Sequence, residues 1–321
     1  MTAWQKFCGF VIGACLLTGT AAAQTYPTRP VRVIVPLSAG AVTDVTLRAI
    51  GKEMAARSGQ PWIIDNRPGA AMAIGAELCA KASPDGYTLC AVSSDTMSFN
   101  PALRTTLPYD PDRDFRPITN LFNVIEGVVG SGALAAGSIA ELKALAASKT
   151  LNVGTLGPGS TPDVFRRWLA DQWKTKFVDV PYKGGGDVAT ALLSGEIDFA
   201  RIGIGNLAGL VNQGKVKLLA VSSAARSPLM PDAPTLAETG LGAYPVHVWW
   251  GLVAPAATPD AVIAKVNADV NAVIREPATA EFLAKQFLEP TAGTPQEFAA
   301  FLKADRAKIG EMIKAYDIPP Q

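Results

Sequence analysis

Short apolar runs alternate with longer amphipathic stretches along most of the chain. VRVIVPL (31–37), WIIDN (62–66) and YTLCAVS (87–93) have the length and β-branched or aromatic content of strands. Between them, residues 44–57 and 69–82 predict helices, and Pro-Asp-Gly before the third run marks a turn. The rhythm resumes in the middle. Residues 137–148 form a predicted helix with Ser138 as cap and Glu141 completing a capping box. LNVGT (151–155) is a strand, and 161–173 a helix whose first turn suits Pro162. Residues 177–182, 197–203 and 216–223 are further strands, the first two separated by the helix GDVATALLSGE. The tail differs: a strand near 249–255 leads into two amphipathic helices, 259–276 and 294–316. The apolar stripe at positions 262, 263, 266 and 270 marks the first of these as a packing element.

Strand–helix alternation predicts an α/β protein with parallel-rich sheets covered by helices. Two clusters of such units, joined by strand-like segments near 121–130 and 218–236, predict two lobes with a ligand cleft between them. The expected division gives 24–124 and 228–321 to a discontinuous first lobe and 125–227 to the second. In such sheets ligands bind beyond the carboxyl ends of strands, so the loops that follow strands carry the functional expectation.

The 321 residues are 49% hydrophobic and 18% charged, a globular balance, and the formal charge of +1 leaves no basic footprint for nucleic acid. Lys6, an apolar run from Phe7 to Leu17 and the ending Ala21-Ala22-Ala23 read as a secretory signal peptide over 1–23. Ile12-Gly13-Ala14-Cys15 is a loose lipobox, which makes lipoprotein anchoring at Cys15 the alternative. Either way the product is exported to the periplasm. Cleavage leaves Cys79 and Cys90, which in an oxidising compartment form either a disulfide or two buried thiols.

Five loops qualify as binding loops: 36–44, 93–101, 154–161, 181–187 and 200–206. They share glycine, hydroxyls and, in most cases, a position just ahead of a helix. Unpaired N–H groups at helix starts favour negative charge, and glycine lets a ligand approach the backbone. Several such ends converging on a cleft would hold a carboxylate without a formal positive charge. Each also has a plain structural role, since Thr43, Ser160 and Thr161 are ordinary N-cap residues. Catalytic groupings are poor. His247 stands alone in an apolar strand, GPGS lacks the phosphate-loop and nucleophile-elbow patterns, and no Cys/His cluster has metal-ligand spacing. No cofactor and no enzymatic activity are expected.

Read in order, the blocks YPTRPVRVIVPLSAGAVTDVTLR, NRPGAAMAIGAELCAKASPDGYTL, LNVGTLGPGSTPD, VPYKGGGDVATALLSGEIDF and WWGLVAPAATP resemble the tripartite tricarboxylate transporter substrate-binding proteins, the Bordetella uptake family. The resemblance spans about Tyr26 to Ile318. It implies a two-lobed, type II-like periplasmic binding protein of the Venus-flytrap kind that hands a small carboxylate to a two-subunit membrane transporter, or sometimes to a sensor. A monomer is expected. The family's ligand loops fall on Ser38, Ala39, Gly40, Ala41 and Thr43; on Ser93, Ser94, Asp95 and Thr96; on Thr155, Gly157, Gly159, Ser160 and Thr161; and on Tyr182, Lys183, Gly184 and Gly185.

Departures from the family bear on the ligand. Ala41 stands where a second glycine is usual, and its methyl restricts the loop. Arg201-Ile202-Gly203 replaces an aromatic followed by Asp-Asn; Arg201 either pairs with a ligand carboxylate or faces outward or a neighbouring acid. Asp95 and Asp163 stand where neutral residues or histidine are more usual. Asp95 facing an amine would suggest an amino acid, whereas the position of Asp163 at a helix start is explained equally by a capping role.

Overall fold

The computed structural model describes residues 26–241, 244 and 246–320; the expected signal peptide and Cys15 lie outside these residues. The chain begins with the β–α alternation that its patterning predicts. β1 (Val31–Val35), α1 (Val42–Ser58), β2 (Trp62–Asn66), α2 (Ala73–Ala80) and β3 (Thr88–Ser93) follow in turn, then a π-helical turn at Asp95–Phe99 and α3 (Asn100–Leu103). β4 (Phe115–Val124) and β5 (Glu126–Ser131) are separated by one residue, Ile125. Next come α4 (Ile139–Ser148), β6 (Leu151–Thr155), α5 (Thr161–Trp173), β7 (Phe177–Pro181), α6 (Gly185–Ser194), β8 (Phe199–Gly203), α7 (Ala208–Asn212) and β9 (Val216–Val221). The tail supplies β10 (Val248–Pro255), α8 (Asp260–Arg275), α9 (Pro277–Lys285), β11 (Leu288–Pro290) and α10 (Pro295–Ala315).

The strands form two sheets, ordered β11-β4-β10-β3-β1-β2 and β7-β6-β8-β5-β9. Both are mixed. The parallel pairs are those expected from the βαβ units, β1 with β2 and β3, and β6 with β7 and β8. The pairings of β4, β10 and β11 in one sheet, and of β5 with its neighbours in the other, are antiparallel. β4 runs almost directly into β5, and no helix among the described residues lies between β9 and β10, so β5 and β10 are not reached through the helical crossover that a parallel pair needs.

Each sheet is buried on both faces, and the period of two along its strands sorts the side chains. In the first, Val33, Leu89 and Leu252 pack with Leu47 of α1 and Val270 of α8, whereas Ile34, Cys90 and Val253 face Ala76 of α2 and Phe298 of α10. In the second, Val128, Val153 and Phe199 pack with Phe165 and Leu169 of α5; Val129 and Ala200 pack with Val188 and Leu192 of α6.

Two segments differ from the expected lobe division. Thr235 bridges to Val221 of β9, and Leu236, Tyr244 and Val246 join the apolar cluster beside the second sheet. α10 starts on the first sheet, but its end, through Ile309, Met312 and Ile313, joins that same cluster. At 21 residues it is about 30 Å long, enough to reach from one sheet to the other. The helix expected over 69–82 is also shorter. Ala70, Ala71 and Met72 hold positive φ (47°, 49° and 71°), and the Asn100 side-chain amide donates to Ala71 O at 2.8 Å. Cys79 and Cys90, almost fully buried, form a disulfide between α2 and β3.

Candidate functional site

A cavity of about 420 Å³ opens where the loops of the two sheets meet. One wall comes from the segments around the first sheet: Met72, Asp95, Phe99, Asn100, Leu103 and Val248. The opposite wall is the loop from Leu156 to the α5 residues Thr161 and Pro162, together with Lys183 and Gly185 at the start of α6. Its floor is built from the two adjacent strands β5 and β8, through Glu126, Arg201, Ile202 and Gly203. Eight of the expected site residues thus line one cavity: Asp95, Gly159, Ser160, Thr161, Lys183, Gly185, Arg201 and Gly203.

The first loop stands apart. Ser38, Ala39, Gly40 and Ala41 are exposed and do not line this cavity, and Thr43 is buried behind them. Ala41 carries no strain, since it sits at φ −67°, ψ 154°, while Gly40 takes the positive φ of 91°. The restriction expected from an added methyl therefore does not apply at that position. Ser93, Ser94, Thr96 and Thr155 are fully buried and build the loops from behind. Thr96 Oγ1 accepts from the Ser93 amide at 2.8 Å, and Thr155 Oγ1 donates to Asp179 at 2.6 Å while accepting from the Gly157 amide. Tyr182 turns to Glu196, and Gly184 is the N-cap of α6.

The two main loop–helix junctions share a spacing that is easily passed over in the sequence. Gly40, Asp44 and Arg48 recur as Gly159, Asp163 and Arg167, each four residues apart. In each, the glycine amide donates to the aspartate Oδ2 at 2.9 Å and the arginine Nε donates to the same oxygen, at 3.1 Å and 3.0 Å. The aspartate lies in the first helical turn, where the backbone dipole favours negative charge. Asp163 is a capping and bracing residue: fully buried, it also binds Arg166 at 2.6 Å. Gly157 and Gly159 hold φ of 94° and 74°, so the loop can turn tightly ahead of α5. Ser160 Oγ donates to Gly157 O at 2.6 Å and closes that turn.

The floor holds the strongest electrostatic feature. Arg201, 1% exposed, lies 2.7 Å from Glu126, 3% exposed, and donates to Val246 O at 3.3 Å, both through Nη2. Its guanidinium stacks 4.4 Å from the Tyr244 ring centroid and 5.3 Å from that of Phe165. Nε and Nη1 have no hydrogen-bond partner among the described residues, and neither does the Tyr244 hydroxyl. Burial pushes the Glu126 carboxyl up to about 7, opposed by Arg201 and reinforced by Asp95. Burial likewise pushes Asp95 up to about 6, with Asp305 adding to the rise. Of the alternatives for Arg201, the structure has it paired with an acid, while two of its buried nitrogens lack a hydrogen-bond partner among the described residues. Glu126 is not recognisable in the sequence because EGVVGS reads as ordinary strand text. His247 is exposed just before β10 and does not line the cavity.

Two sheets with a cavity between their loops make a two-lobed α/β protein, and the fold is that of periplasmic binding proteins. The family model described as tripartite tricarboxylate transporter family receptor matches residues 46–318, and the chain belongs to that family. It is 32% identical over 315 residues to a UPF0065 protein of Agrobacterium vitis, covering 96% of this chain and 91% of the relative. A Rhodopseudomonas palustris protein solved with adipate superposes with a TM-score of 0.84 at 28% identity, over 92% of this chain and all of that one. MatC of the same organism, solved with bound malate, gives 0.78 at 31% identity, over 90% of this chain and all of MatC. No helix among the described residues is long and apolar enough to cross a membrane.

Proposed function

We propose that this protein captures a small organic carboxylate in the cavity between its two sheets and delivers it to the membrane subunits of a tripartite tricarboxylate-type transporter. The observation that carries the reading is Arg201, a fully buried guanidinium on the cavity floor with Nε and Nη1 unpartnered among the described residues. A buried donor without an acceptor is costly, and a carboxylate is the acceptor that suits a guanidinium best. The start of α5 brings the positive end of a helix, with Thr161 in its first turn, to the same cavity. The adipate and malate complexes of the two relatives support the same ligand class. The lobes are taken as the two sheets with their covering helices. The expected closure is a shift of population on ligand binding. Export by cleavage near Ala23 completes the proposal and places the protein in the periplasm.

A thermal-shift screen of purified mature protein against mono-, di- and tricarboxylates tests it, since a ligand held by the native state raises Tm. At about one hundred times Kd the native state gains about 2.7 kcal/mol. A rise with at least one carboxylate, lost in a folded Arg201→Gln variant, is the expected result. A flat response across the screen would overturn the function, and an undiminished rise in Arg201→Gln would remove Arg201 from it.

A further inference from the structure

Arg201 and Glu126 cancel each other's charge on the cavity floor, which leaves Asp95 as the acid that no cation of the described residues answers. Asp95 lines the cavity from the π-helical turn after β3, and no lysine or arginine among the described residues forms an ion pair with it. Its charged surroundings are of its own sign. Asp305 lies near enough to raise its pKa, and Asp95 in turn raises that of Glu126. Asp305 is already engaged, accepting from Ser98 Oγ at 2.5 Å and Trp249 Nε1 at 3.0 Å, so it offers no relief. Lys183 lines the same cavity from the α6 side, but its side chain is exposed to solvent.

The cavity is therefore bipolar. The donor end comprises the two unpartnered nitrogens of Arg201 and the start of α5; the acceptor end is Asp95. A dicarboxylate in this space would bring its second negative group towards an acid that is already uncompensated. A ligand bearing one carboxylate and one ammonium group would give each end a partner of opposite charge and add no net charge to the cleft, whereas a dicarboxylate would add two negative charges. We propose that the solute is a zwitterion of the amino-acid class, with its carboxylate at Arg201 and the α5 start and its ammonium at Asp95. This inference rests on the carboxylate reading above and narrows it.

Matched ligands test it without any variant. Calorimetric titration of the purified protein compares 4-aminobutanoate with glutarate, and leucine with isobutylmalonate; in each pair an ammonium group is exchanged for a second carboxylate. The amino acid of at least one pair is expected to bind about ten-fold or more tightly than its partner. Asp95→Asn, with folding checked by circular dichroism, is expected to erase that preference by weakening the amino acid. If the dicarboxylates bind more tightly to the wild type, the zwitterion inference fails while the carboxylate function stands. If binding of the amino acid is unchanged in Asp95→Asn, the assignment of Asp95 fails. If no carboxylate of either kind binds, the function itself fails.

Discussion

Asp95→Asn removes one negative charge from the cleft wall while keeping nearly the same side-chain volume. In the ligand-free protein that charge is a liability, because burial raises the Asp95 pKa from 3.8 to about 6. A folded-state pKa above the unfolded value means that the proton favours the native state. The resulting stability is fully present below about pH 4 and is lost as pH rises through about 6. Each tenfold change in proton affinity is worth about 1.4 kcal/mol, giving an upper bound of about 3 kcal/mol above pH 7. Asp95 keeps part of its surface in contact with solvent, so roughly 1–3 kcal/mol is the working range. Its removal also relieves Glu126, which Asp95 pushes upward. Asp95→Asn should therefore make the empty protein more stable at about pH 8, with a gap that shrinks to less than about 1 kcal/mol near pH 4.5. Urea unfolding of both proteins at the two pH values measures it. A gap of equal size at both, or a variant less stable at about pH 8, would refute the reasoning.

Other consequences follow from neighbouring residues. Ala41→Gly should lower stability by about 0.4–1 kcal/mol and leave carboxylate affinity unchanged, because Ala41 already has an ordinary negative φ; calorimetry showing tighter binding would contradict this. Asp163→Asn should cost about 3–5 kcal/mol by uncoupling a fully buried acid from Arg166, Arg167 and the Gly159 amide. The matching change Asp44→Asn should cost less, since its partner Arg48 is 47% exposed, and urea midpoints would show the order reversed if the comparison were wrong. Reducing the Cys79–Cys90 disulfide, whose partners are 11 residues apart, should lower stability by about 3 kcal/mol; an unchanged midpoint in reductant would count against it.

The parallel core of each sheet is legible in the sequence because its strands are short apolar runs joined through amphipathic helices. The antiparallel strands are less so. β4 is hard to recognise as a ten-residue strand, since FRPITNLFNV contains Pro117 and mixes polar with apolar residues, and it takes its place by pairing with both β10 and β11. Residues 69–72 look helical from composition. Their left-handed backbone is held by long-range contacts such as Asn100 to Ala71, which local propensity does not encode. Within the site, glycine and hydroxyl content singles out the loop before α5, and that loop lines the cavity. The same composition singles out residues 38–41, which are exposed and do not line this cavity, because exposure depends on how the sheets face one another. Glu126 is invisible for a related reason: a lone acid in a strand acquires meaning only when β8 brings Arg201 beside it.

If the cavity between the two sheets holds one carboxylate-bearing solute with Arg201 as its anchor, the stoichiometry and the Arg201 dependence of binding must both show it. Isothermal titration of the mature protein with the best carboxylate from a thermal screen, repeated on a folded Arg201→Gln variant, measures both directly. The expected result is a saturable isotherm with one site per chain and an affinity at least about ten-fold weaker in the variant. A wild-type isotherm without saturation, or identical affinities in the two proteins, would contradict it.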